Sequence, residues 1–173
     1  YTEEQQEEKA FWTEKIEKDR KTVEKLWQKA YGEKLPEIHN VRATGSVVLD
    51  LIKEKTFSAR ESTPEGIAYK KSTEELKKVI LRNDDFGFDS PREAFVSIIK
   101  EPEYAASAWD MSETDREIIK NYAKAQKAFR DVDVEKLKTE DIKIIQMYAE
   151  RINTASNIIA EIDSEHYAEN AKY

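Results

Sequence analysis

The stretch "IQMYAERINTASNIIAEIDSEH", residues 145–166, decides the fold. Within it Ile145, Tyr148, Ile152, Ala155, Ile159, Ile162 and His166 recur at alternating steps of three and four. That spacing draws one apolar stripe along an α-helix, whereas a half-buried strand would need a two-residue period. Thr139 stands where an N-cap is expected, so the sequence predicts a long final helix starting there. A seam this regular has to be covered by another helix.

Residues 2–31 supply the matching element. Thr2 and Gln5 form a capping-box pattern, and Glu3, Glu4, Glu7 and Glu8 place negative charge at the positive end of a helix dipole. Lys25 and Lys29 precede Gly32, with Pro36 beyond, which marks the C-terminus. Between these ends Trp12, Ile16, Val23, Trp27, Ala30 and Tyr31 follow one stripe, interrupted only by Asp19 and Arg20. The first and last helices are therefore expected to pack lengthwise.

The middle of the chain reads as shorter pieces. Ser46 is a candidate cap for a helix through Val47, Val48, Leu51 and Ile52. The run "TFSARESTPEGIAYKK", residues 56–71, suits two short extended pieces turning at Pro64, Glu65 and Gly66, hence a small β-hairpin near 56–70, with a helical alternative left open. Ser72 with Glu75 looks like a capping box, as do Ser90 with Glu93 and Ser112 with Asp115, and Pro91 sits at a first helical position. Pro102 should end the helix before it. The fold class expected is all-α or nearly so: one helical domain over residues 1–173, with residues 1–31 as a long helix that also suits an oligomer-forming arm.

Bulk composition narrows the function classes. A net charge of -7 with 36 acids against 29 bases disfavours a nucleic-acid partner, because phosphate affinity rests on Lys and Arg. No apolar run approaches the roughly 20 residues of a membrane-spanning helix. Cysteine is absent, so thiolate nucleophiles and Cys-ligated metal sites are excluded. The four scattered glycines build neither a phosphate-binding loop nor a dinucleotide fingerprint, and no nucleophile elbow occurs. No cofactor is implied, and the reading leans away from an enzyme. The chain opens at Tyr1 rather than methionine, which fits either a trimmed chain or a mature protein whose leader was removed, and the cysteine-free composition rich in Lys and Glu tilts the expected location towards export or the cell envelope. The preference for Lys, Ile, Asn and Tyr over Arg suggests a bacterial or phage source.

"RNDDFGFDSPRE", residues 82–93, looks most like chemistry. With Gly87 at the sixth position of a calcium loop, Asp84 falls at the third and Glu93 at the twelfth. Asp84, Asp85, Asp89 and Glu93 are then the candidate metal ligands, and a carboxylate-dependent enzyme or metal binder is the alternative function. Arg82 and Phe86, however, occupy the first and fifth positions, where oxygen donors are required. A capped turn whose phenylalanines plug the core is the preferred reading. The preferred function is a non-catalytic helical protein-interaction or cell-envelope accessory module that binds another protein. Trp12, Trp27, Tyr31 and Trp109 are its candidate contact residues, since large aromatics with a polar handle are enriched at interfaces.

Overall fold

The computed structural model describes residues 1–171, and it is all-α, with seven α-helices and no strand among those residues. In chain order they are α1 (Glu3–Tyr31), α2 (Thr44–Glu61), α3 (Pro64–Arg82), α4 (Pro91–Lys100), α5 (Pro102–Ala108), α6 (Glu113–Arg130) and α7 (Glu140–Asn170). Their contacts sort into two compact units: Tyr1–Thr56 together with the chain from Lys138 onward, and Phe57–Leu137.

The first unit is organised by α1 against α7. Both ends of α1 form as the residue types dictate. Thr2 and Gln5 close a reciprocal capping box, and Gly32 stops the helix in a left-handed conformation with its N–H on the Gln28 carbonyl. Thr139 caps α7 by accepting from the Ile142 N–H. Lys9 meets Asp163 at 2.6 Å, Asp19 meets Arg151 at 3.4 Å and Lys29 meets Asp141 at 4.0 Å, so the two helices run antiparallel along their length. Ile16, Val23 and Trp27 of α1 bury against Ile145, Ile152 and Ile159 of α7, with Val48 and Ile52 of α2 completing this core. The polar step at Asp19 lies in the seam. Its buried carboxylate takes Arg151 as counter-ion, which relieves the cost of withdrawing a charge from water.

The second unit has its own core, in which Leu76, Val79 and Ile80 of α3 pack with Ile119 and Tyr122 of α6, Ala94 and Ile98 of α4, and Ala105 and Ala106 of α5. The two alanines bring α5 close to its neighbours, which a larger side chain would hold apart. A buried polar chain crosses this core: the hydroxyls of Tyr69 and Tyr122 lie 3.1 Å apart, and the Gln126 amide donates to the Ile99 carbonyl at 3.1 Å. Burial pushes the Tyr122 hydroxyl well above the usual phenol range, so it stays neutral.

Three local expectations are corrected. The hairpin near 56–70 does not form: α2 continues to Glu61, and α3 begins at Pro64. Thr63 is the N-cap of α3, accepting from the Gly66 N–H at 3.1 Å, and Pro64 occupies the first helical position, where its missing N–H has no cost. Proline and glycine here open a helix, where the sequence suggested the corner of a hairpin. Likewise Ser72 and Glu75 lie inside α3 and cap nothing, and α2 starts at Thr44, ahead of Ser46. The predicted starts at Ser90 and Ser112 form as expected, each hydroxyl accepting from the N–H three residues on.

Candidate functional site

In the second unit, the segment between α3 and α4 is built around an unusual piece of backbone. Asp84, Asp85 and Phe86 have φ of 49°, 59° and 52°, and Gly87 follows at 80°, giving four consecutive left-handed residues. Each non-glycine residue in this region carries a cost of about 1–2 kcal/mol, least for Asp and greatest for a bulky side chain such as Phe86.

The surroundings hold the segment in place. Asn83 closes α3, its backbone N–H on the Val79 and Ile80 carbonyls and its side-chain amide donating to the Val79 carbonyl at 2.8 Å and to Asp115 at 3.0 Å. Asp115, in the first turn of α6, also receives Arg82 at 2.7 Å and is itself positioned by the Ser112 cap. The Arg82 guanidinium, followed by the Asn83 and Ser112 donors, holds the Asp115 carboxyl below its ordinary range against the opposing effect of desolvation. One carboxylate thus ties the end of α3 to the start of α6.

The left-handed turn carries Phe86 and Phe88 to Trp109, at the end of α5. Their ring centroids lie 5.1 and 5.4 Å from that of Trp109, with interplanar angles of 53° and 41°, so neither phenyl lies flat on the indole. The rings are half-buried on the margin of the core, and together with Asn83 and Asp110 they line an open concavity of about 470 Å³. Arg116 fixes the Trp109 end, its guanidinium donating to the carbonyls of Ala106 and Trp109. Among the described residues Asp110 takes part in no ion pair or hydrogen bond of its side chain.

The other aromatics singled out from sequence have different surroundings. Trp27 is completely buried between α1 and α7, so its ring serves the core and presents no surface to a partner, which corrects its place among the contact residues. Tyr31 packs on Trp27 with centroids 4.4 Å apart, and burial raises its hydroxyl pKa. Trp12 is half-buried; its indole N–H reaches Glu8 at 3.5 Å, and with Met147 and Arg151 it lines a shallow groove between α1 and α7.

The acidic residues of 82–93 do not come together. Glu93 accepts from the Asp89 N–H at 3.2 Å while its own N–H donates to Ser90, an arrangement that assigns it to the cap of α4. Asp84 and Asp89 face solvent, and among the described residues no three His, Asp or Glu side chains form a set able to hold a metal ion.

The first unit contains a second polar assembly, which spacing in the sequence did not suggest. The Asp163 carboxylate accepts from the Tyr1 hydroxyl and the Lys9 ammonium, both at 2.6 Å, and from Arg42 at 3.1 Å. Lys9 first, then Tyr1, hold the Asp163 carboxyl far below its ordinary range, and Lys9 is raised in turn. His166, one turn along, stacks on the Tyr1 ring at 3.8 Å. Every donor here is spent on joining α1, α7 and the residues before α2, which is a structural role. Comparison with protein-family models, with curated proteins and with solved structures found no match to this chain.

Proposed function

We propose that this protein is a non-catalytic protein-interaction or cell-envelope accessory module, of bacterial or phage origin, that seats a side chain of another protein in the pocket at Trp109. The observation that carries the reading is the aromatic trio itself: Phe86, Phe88 and Trp109 are half-buried around a concavity, and the segment that brings Phe86 and Phe88 to it has left-handed backbone at Asp84–Phe86. Strain of this kind persists where surrounding structure over-determines it, and it recurs at ligand clamps. An aromatic centre with a charged rim also matches the anatomy of a protein interface, in which a few Trp and Tyr anchors contribute most of the affinity. The bacterial and envelope setting is supported by composition alone.

The test is photo-crosslinking in the cells that make the protein. A photoreactive residue replacing Asp89, which is exposed and next in sequence to the pocket residue Phe88, is expected to give one discrete protein adduct. That adduct should vanish on Trp109→Ala in a variant whose helical circular dichroism is unchanged. Adducts that persist in Trp109→Ala, or no adduct at all, would remove the basis for this reading.

A further inference from the structure

The pocket at Trp109 has a chemical character that narrows what it can hold. It is lined by three aromatic rings, by Asn83, whose amide already donates to Val79 and Asp115, and by one carboxylate, Asp110, that has no partner among the described residues; an aromatic face carries the negative end of a quadrupole. Segments 82–93 and 109–117, which surround it, carry eight acids against three arginines. Two of those arginines are already engaged, Arg82 with Asp115 and Arg116 with Glu113 and the α5 carbonyls. A neutral apolar group entering the pocket would strip water from Asp110 without giving it a counter-charge, which costs free energy. A cation entering the same space supplies that charge and has three aromatic rings to pack against.

We infer that the Trp109 pocket receives a basic side chain, lysine or arginine, from a protein partner, with the aromatic rings as cation–π surfaces and Asp110 as the counter-ion. The inference rests on the docking role proposed above and adds the chemical identity of the docked group. A concavity of about 470 Å³ accommodates the aliphatic stem as well as the charged head, so the stem lies on the rings while the charge reaches Asp110. The exposed Asp84 and Asp89, next in sequence to the lining residues Asn83 and Phe88, favour a partner segment with further positive charge.

The full chain, labelled with ¹⁵N, provides the test, because each of its three tryptophans gives one indole N–H signal and Trp109→Phe identifies the relevant one. Alanine pentapeptide amides with lysine, arginine or norleucine at the centre are titrated in turn. Lysine and arginine peptides are expected to shift the Trp109 signal and leave that of buried Trp27 in place, with the norleucine peptide at least about fivefold weaker. Asp110→Asn is expected to weaken the lysine peptide by about two- to fivefold without altering the other indole signals. A norleucine peptide that binds as well as lysine, or Asp110→Asn without effect, overturns the cationic assignment and leaves the docking role standing. Phosphatidylcholine vesicles that shift Trp109 where the basic peptides do not would overturn it in favour of a lipid headgroup. Loss of the Trp109-dependent photo-adduct is a separate result that bears on docking itself.

Discussion

At the scale of single residues, the left-handed run at Asp84–Phe86 is the place where local preference and the folded state disagree most. Asp85 has φ of 59° with a side chain that makes no hydrogen bond among the described residues, so its conformation is imposed by the ties on either side, the Asn83 cap and the ring contacts of Phe86 and Phe88. Glycine adopts that conformation without steric cost. Asp85→Gly is therefore expected to raise stability by up to about 1 kcal/mol, the relief of strain exceeding the added freedom of the unfolded chain. Asp85→Val, β-branched at the same φ, should lower it; the midpoint of urea unfolding at unchanged slope measures both. Glu93 acts at the other end of the segment by holding the Asp89 N–H, and Ser90→Ala should cost about 1 kcal/mol through loss of the cap. None of these changes touches the wall of the pocket.

Among elements, the junction of α2 and α3 shows how a correct residue inventory can support the wrong structure. Proline, glycine and flanking β-branched or aromatic residues are hairpin vocabulary, yet the same residues suit a helix start once Thr63 is the cap. What distinguishes the two is space. A Cβ on Gly66 would collide with the carbonyls of Arg60 and Glu61, so glycine is present to let the first turn of α3 lie against the last turn of α2. Gly66→Ala is expected to destabilise the second unit by about 1–3 kcal/mol, because neighbouring backbone can yield only by shifting. Thermal unfolding followed through the Trp109 indole signal reports it. In a hairpin, where glycine would be wanted for its turn conformation, Gly66→Asn would be tolerated; here it should be as damaging as alanine.

For the whole molecule, each of the two cores depends on one carboxylate that collects several donors, Asp163 in the first and Asp115 in the second. Both have folded-state pKa values below those of the unfolded chain. Their contribution is thus complete above the ordinary carboxylate pKa of about 4 and is lost as pH falls through the depressed folded values. Lys9 has the opposite sign: its pKa is raised, so its contribution is complete below the ordinary lysine value of about 10.4 and is lost as pH climbs past the folded one. Stability should therefore be flat through neutral pH and decline below about pH 4 and above about pH 10. Asp163→Asn is expected to cost about 1–2 kcal/mol at pH 7, a modest figure because Arg42 is half exposed, and to remove most of the acid-side decline reported by Trp27. Asp115→Asn should do the same for the decline reported by Trp109.

Much of this architecture is contained in residue order. The alternating three and four steps of Ile145–Ile162, the Thr2–Gln5 and Thr139 starts, the Gly32 stop and the serine starts of α4 and α6 are local facts: a period or a cap involves residues within a turn or two of one another. From these follow the all-α class and the lengthwise pairing of α1 with α7. The rest joins positions that no local rule connects. Phe86 meets Trp109 across 23 residues, Lys9 meets Asp163 across 154, and Trp27, identical in kind to the other tryptophans, is buried in a core that α7 and α2 share with α1. Periodicity determines which face of a helix is apolar. Which neighbour covers that face, and which aromatic rings remain at the surface as a result, was decided by the burial of apolar area between helices distant in sequence.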